Sequence, residues 1–322
     1  MSRFYFLFPF LYMSLHICYA EEISPVGIVA KPFIYSYTHG RVDLHRDTLI
    51  YKQEKIIFGL DIKLNEYWSA HVGVDLIRMS TLYLKPTVLT CQKGRWTIDG
   101  GIFFTSEMDK TMSQFWGYRF IEKIAADRWL FSPTADLGMR VTYRWNNFIT
   151  TDISLVSGNG YQGLTKKYHP KPAFRVMITP FRPLQLGGYI STRKEEDVSE
   201  TGINCFAHLQ TCNKWKVTGE YHHKSNCRFA EKHKMDVASI YSTYKLLPWI
   251  DLMGRYDFVK SNKVNPSGES WNVQDDGHAF MGGLIFQCFP SVRLSIDYWN
   301  KRPPVKRIDR EDWLYICVEI KY

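Results

Sequence analysis

Side-chain chemistry needs groups that give, take or carry charge, and this chain offers them in two patterns. The first is a set of histidines, His222, His223, His233 and His278, lying near Ser225 and Ser270 in sequence. A hydroxyl, an imidazole and an orienting group are the material of nucleophilic acyl chemistry. No nucleophile elbow or other motif singles any of them out, so the chain reads as non-enzymatic. Beyond residue 20 the cysteines are Cys91, Cys205, Cys212, Cys227, Cys288 and Cys317, with no Cys-x-x-Cys pair and no histidine at metal spacing. A zinc site has no support in that spacing, and no metal or cofactor is expected.

The second pattern is charge at every other position of apolar runs. Through 134–144, Leu137, Met139, Val141 and Tyr143 alternate with Asp136, Arg140, Thr142 and Arg144; through 291–299, Val292, Leu294, Ile296 and Tyr298 alternate with Arg293, Ser295 and Asp297. Period two places one set on each face of a strand. The polar faces carry Lys63, Arg95, Arg140, Arg144, Arg175, Arg193, Lys216, Arg255, Arg293 and Lys321. Against these ten stand Asp61, Asp75, Asp99, Asp136, Asp152, Glu220, Asp251, Asp257, Asp297 and Glu319, also ten. A filled core would lose several kcal/mol for each ion it desolvated. These faces are therefore expected to border water, with part of the charge paired in cross-strand ladders.

The elements that must position them are strands. Alternation places them near 27–38, 54–64, 68–78, 82–91, 95–105, 134–144, 148–157 and 172–180. It continues near 184–193, 200–210, 214–223, 235–246, 249–259, 277–287, 291–299 and 312–322, sixteen in all. Every other connection is short, as at Asn65-Glu66-Tyr67, Asn146-Asn147 and Leu247-Pro248. The intervening ones are long, as at 39–53, 106–133, 158–171, 260–276 and 300–311. Hairpins with two unlike ends, apolar outward and polar inward, describe a transmembrane antiparallel up-and-down β-barrel. Trp68, Trp96, Trp145, Trp215 and Trp249, with Phe181 and Phe289, all flank the short turns, as one aromatic ring at a membrane interface requires. A lipid-exposed sheet must close on itself.

Residues 1–20, with Arg3 before the apolar run FYFLFPFLYMSLHI and a small-residue site at Cys18-Tyr19-Ala20, read as a cleaved secretory signal. The barrel then occupies 21–322. Its last strand, LYICVEIKY, ends on Tyr322 like the terminal strands that the barrel-assembly machinery recognises. The net charge of +9 is carried in part by 224–234 and 301–311, both expected as outer loops. Such charge attracts anions to a mouth or contacts lipopolysaccharide and membrane lipid. A nucleic-acid partner does not fit an exported barrel.

The connection 106–133 is far longer than usual, with a helical stretch expected through Phe120 to Ala126. Folded into the lumen, it would offer Arg119, Glu122, Lys123, Asp127 and Arg128 as a pore constriction. The pore lining would comprise Lys63, Asp99, Arg140, Arg144, Asp152, Arg175, Arg255, Asp257 and Arg293. The stretches WGYR at 116–119, IEKIAADR at 121–128 and LVSGNGY at 155–161 resemble the Bacteroidetes-type outer-membrane porins grouped with the phosphate-selective porin O and P family. That resemblance implies passive diffusion of small hydrophilic solutes, with a mild preference for anions, in the outer membrane of a Gram-negative cell. Analogy with sixteen-stranded porins implies a homotrimer. The competing readings are a surface-exposed barrel adhesin or scaffold, and an outer-membrane barrel hydrolase.

Overall fold

The structure, a computed structural model, describes residues 28–45, 48–77, 81–164, 169–212, 214–264, 268–305, 308 and 310–322. The leader expected over residues 1–20 lies outside them. Alternation produces sixteen strands. The first eight are β1 (Val29–Asp43), β2 (Thr48–Lys63), β3 (Trp68–Ile77), β4 (Thr81–Lys93), β5 (Trp96–Phe104), β6 (Ala135–Arg144), β7 (Ile149–Val156) and β8 (Lys171–Phe181). The rest are β9 (Leu184–Glu195), β10 (Val198–Thr211), β11 (Trp215–Ser225), β12 (Lys234–Leu247), β13 (Ile250–Ser261), β14 (Gly277–Phe289), β15 (Val292–Arg302) and β16 (Glu311–Lys321). Each pairs antiparallel with its sequence neighbours. β16 closes onto β1 from Tyr35↔Lys321 to Asp43↔Trp313, so the sheet is a closed barrel.

The two faces separate as period two demands. Ile153, Leu82, Ile240 and Ile316 point outward and are 64, 62, 51 and 49% exposed, while Asp75, Asp136 and Asp257 point inward at 0%. An apolar exterior over a charged interior inverts a soluble protein, and lipid is the solvent that accepts it. The aromatics at the short turns, including Trp96, Trp145, Trp249 and Phe289, are all exposed. Trp145 Nε1 donates to Thr151 Oγ1 at 3.0 Å and Trp215 Nε1 to Ser242 Oγ at 2.7 Å. The expected single aromatic ring is only half of the arrangement. Tyr51, Tyr221, Phe280 and Tyr298 face outward near the opposite strand ends, giving a second belt.

Prolines sit where the ladder tolerates them. Pro86 and Pro180 fall at the register shifts of β4 against β3 and of β8 against β9. Pro32 lies on β1 beyond the end of β16, where Tyr322, the residue after that strand, bonds Ile34. The expected long connection 39–53 is corrected: β1 runs on to Asp43 and β2 begins at Thr48. His39, Arg41 and Asp43 continue the inward alternation past the apolar band, so a polar strand extension looks like a loop. The connection Glu196-Asp197 between β9 and β10 is also a tight turn, so short and long connections do not alternate strictly. The six cysteines among the described residues are free, with Cys227 and Cys317 buried.

Replacing Ile153 with Arg places a charge on the lipid face near mid-strand and should cost about 2–4 kcal/mol of folding free energy in vesicles. Denaturant unfolding in lipid measures it; an unchanged midpoint would mean that this face does not meet hydrocarbon.

Candidate functional site

The segment 105–134 between β5 and β6 runs inside the barrel. It does so because it is apolar where the strands are not. Met108, Phe115, Trp116, Phe120, Ile124 and Trp129 are all at most 4% exposed, packed in one cluster with the inward-facing Met177, Phe206, Tyr241, Met253, Met281, Ile285 and Trp299. Its regular structure is a π-helical turn at Thr111–Trp116, stopped by Gly117 at φ +72°, and a single α-helical turn at Ala125–Arg128. The helix expected through Phe120 to Ala126 begins only at Ala125; Phe120 to Ile124 is non-helical.

Charges fasten this plug to the wall. Asp109 accepts from Arg140 at 3.1 Å and from Arg175; Arg140 also binds Asp99 at 2.7 Å, and Arg175 binds Asp152 at 2.6 Å. At the other end Trp129 Nε1 donates to Asp257 at 2.9 Å, Arg255 binds Asp257 at 2.7 Å, and Arg255 also reaches the Lys123 carbonyl. Tyr118 donates to Asp251 at 2.9 Å and Arg293, paired with Glu319, donates to the Gly117 carbonyl at 3.2 Å. The stalk residue Glu107 meets His222 at 3.3 Å, and His39 donates to the Phe120 carbonyl at 2.5 Å.

This corrects the expected pore lining. Asp99, Arg140, Asp152, Arg175, Arg255, Asp257 and Arg293 do face inward, but they are buried or half-buried as braces for the plug rather than spread along open water. The physical reason is that a segment with its own apolar cluster displaces water from the half of the lumen walled by β8 and β10 through β16. Pairing and hydrogen bonds replace the lost hydration. Arg144 is exposed near the short-turn end, and Lys63 lines a second cavity there of about 460 Å³, together with Lys31, Asp61 and His71.

The remaining space is a cavity of about 710 Å³ between the plug and the inner wall. Of the five constriction candidates, Arg119, Lys123 and Asp127 line it. Glu122 and Arg128 do not: they pair with each other at 3.7 Å, and Arg128 lies over the Trp129 and Trp299 rings. Across from the plug stand Lys55 and Lys85, with Lys52 and Glu54 beside them and Lys171, Arg193, Lys224 and Glu200 at the far side. Eight cations thus face three carboxylates. Several are neutralised: Lys55 by Asp75 at 2.9 Å, Arg119 and Lys123 by Asp127 at 3.4 and 3.6 Å, and Arg193 by Glu200 at 2.7 Å. Among the described residues Lys85 has no carboxylate within 4.0 Å, and its ammonium lies 4.3 Å from the Tyr161 ring centroid. A surplus of cations over carboxylates around a cavity concentrates anions.

The GNGY stretch builds one lip of this cavity. Asp136 accepts from the Gly158 N–H at 2.8 Å and from Ser157, turning the chain after β7 inward. Gly158 and Gly160 have φ of +85° and +75°, and a Cβ on them would meet His169 O at 2.2 Å and Pro133 Cβ at 2.5 Å. Only glycine fits both. Tyr161 then donates to Asp75 at 3.2 Å.

On the plug, burial raises the Glu107 pKa, but the hydrogen bond from His222 and the Lys171 charge outweigh it and hold it at about 2. Burial likewise opposes ionisation of Asp127 and Asp109, and Arg119 and Arg175 respectively overcome it and lower both.

Sequence reading missed Lys55, Lys85, Lys171 and Lys224. Lys55 shares its parity with Asp61 and Lys63 and was accessible by that rule. Lys85 lies beside the Pro86 bulge, where parity flips. Lys171 falls one residue outside the expected strand, and Lys224, assigned to an outer loop, is an inward residue of β11. In the other basic segment, Lys306, Arg307 and Asp309 lie outside the described residues.

No protein-family model matches the sequence, and no curated protein matches it. Solved structures match its fold. The chain is similar to OmpF of Salmonella typhi, solved in complex with daunomycin, at TM-score 0.71 and 10% identity, covering 94% of this chain and 100% of that one. It is similar to OprB of Pseudomonas putida at 0.70 and 12%, covering 92% and 94%. The in-vitro folded OmpT of Vibrio cholerae, an outer membrane protein, matches at 0.68 and 11%, covering 94% and 100%. These likenesses place the fold among outer-membrane barrels.

Asp109→Ala removes a carboxylate shared by two guanidiniums and should cost about 1–3 kcal/mol, read as faster proteolysis within 105–134; unchanged cleavage would mean that this contact does not hold the plug. Because the Glu107 pKa is depressed, its contribution is complete above the ordinary glutamate value of about 4.3 and is lost as pH falls toward 2. Protease sensitivity of the same segment should rise over that interval and not above it.

Proposed function

We propose that this chain is an outer-membrane porin through which small hydrophilic solutes diffuse passively, with a preference for anions. The observation that carries this reading is the cavity edged by Arg119, Lys123 and Lys55, where cations exceed carboxylates. A second cavity opens at the short-turn end of the same wall, β1 to β4. Between the two, the inward positions Gly59 of β2 and Gly73 of β3 face each other in register, and the Phe33 ring of β1 lies over Gly59. The route therefore follows the β1–β4 side, and the plug fills the other. Such a path admits solutes by size and biases them by charge.

The stretches resembling the phosphate-selective porin O and P family, WGYR and IEKIAADR, supply Arg119, Lys123 and Asp127 to the cavity edge, which supports the anion preference. Lodging in the outer membrane of a Gram-negative cell, contact with lipopolysaccharide, assembly by the barrel machinery and a trimeric state accompany this reading. In that setting the loop-bearing end faces the cell exterior.

Vesicles containing the protein should pass small neutral sugars and pass chloride faster than potassium. Arg119→Glu should lower the chloride-to-potassium ratio several-fold, whereas Arg128→Glu, outside the cavity, should leave it unchanged. Equal effects of the two, or impermeable vesicles holding folded barrel, would overturn the proposal.

A further inference from the structure

The outer wall of the barrel carries three histidine clusters among the described residues, all near the loop-side aromatic belt. His278 meets the Tyr256 hydroxyl at 2.7 Å and the Phe258 ring. His45 meets Asp312 at 2.5 Å, a carboxylate that also accepts from Tyr298 and Asn300. The third cluster has a different composition.

His223 and Ser225 stand two residues apart on β11 and project from the same outward face. Asp236 of β12 lies directly opposite His223 in the ladder. His223 Nδ1 is 2.8 Å from Asp236 Oδ1, and His223 Nε2 is 3.0 Å from Ser225 Oγ. One ring nitrogen thus donates to a carboxylate while the other accepts from a hydroxyl. This is the geometry in which imidazole takes a serine proton as the oxygen attacks a carbonyl. Tyr221 also donates to Asp236, at 2.5 Å, which fixes that carboxylate. Lys234 is exposed, outward, and directly opposite Ser225 in the ladder, a register position from which a cation can reach charge developing on an oxyanion.

Position identifies the substrate class. His223 and Asp236 are 29 and 37% exposed toward the outside of the barrel, so the group cannot serve solutes in the lumen. Ser225 is the last residue of β11, two positions past His223 and four past the belt residue Tyr221. Belt aromatics mark the head-group level, so Ser225, four positions farther toward the loops, opens on the polar layer that covers the acyl ester carbonyls of membrane lipids.

We propose that His223, Ser225 and Asp236 form a serine hydrolase site that cleaves an acyl ester of a membrane lipid. The inference rests on the membrane-spanning reading but not on solute passage. Ser225 Oγ attacks the ester carbon and its proton passes to His223 Nε2. The carbon–oxygen bond to the lipid alcohol then breaks, and His223 returns the proton to the departing alkoxide, leaving acyl-Ser225. Water, the co-reactant, attacks that ester with His223 taking its proton, and the fatty acid leaves as Ser225 regains its hydrogen. No electrons change hands.

The full barrel in mixed micelles with diacyl phosphatidylethanolamine tests this. Wild type should release fatty acid, and hexadecanesulfonyl fluoride should leave its adduct on Ser225. Ser225→Ala should abolish the adduct and lower release by about 10³-fold or more, with His223→Asn equally inactive. Sugar permeability of vesicles should be the same for wild type and Ser225→Ala, which shows both folded. A permeable wild type that releases no more fatty acid than Ser225→Ala, or that carries its adduct elsewhere, overturns the proposal while leaving the channel reading intact. Hydrolysis by an impermeable barrel supports this proposal and removes the channel instead.

Discussion

The structure depends on one constraint: a backbone in hydrocarbon has no water to bond, so each strand must bond two neighbours. Closure of β16 onto β1 satisfies it, and the rest follows. Once the sheet is closed, every strand has an outside and an inside, and period two allots residues to each. Bulges at Pro86 and Pro180 and the edge position of Pro32 are the places where a residue without an N–H does not break the ladder. The aromatic belts then fix where the apolar band ends.

The interior obeys a different rule. A closed barrel of this size has more lumen than its own side chains can fill, and segment 105–134 occupies much of it with an apolar cluster of its own. That creates a problem a wholly wet pore would not have, because ionised wall residues come under the plug. The chain meets it by pairing. Asp109 between Arg140 and Arg175, and Arg255 with Asp257 under Trp129, turn potential desolvation losses into specific contacts that set where the plug sits. The water-accessible remainder is consequently asymmetric, and cations outnumber carboxylates along its edge.

Strand positions were legible because alternation over a closed sheet is a local signal repeated sixteen times. Every expected strand has its counterpart, with ends off by a few residues; β1 and β2 were cut short because they leave the apolar band and turn polar. Parity also gave the correct facing of Asp99, Arg140, Arg255 and Asp257. It could not tell a wet face from one covered by a distant segment, since Phe115, Trp116 and Trp129 belong to the non-alternating stretch. For the same reason it could not separate Arg119, which edges the cavity, from Arg128, which lies against Trp299. The outer-wall group shows the limit most sharply. His223 and Ser225 are a visible i, i+2 pair, but Asp236 joins them only through the β11–β12 register, which the intervening loop determines.

A conducting aqueous path along the β1–β4 wall, biased by the surplus of cations at its edge, underlies the proposed function. Single-channel recording of the wild-type barrel under a potassium chloride gradient examines it most directly. Discrete open steps with a reversal potential displaced toward the chloride equilibrium value are the predicted result. Silence from demonstrably inserted barrels, or a displacement toward the potassium value, would contradict it.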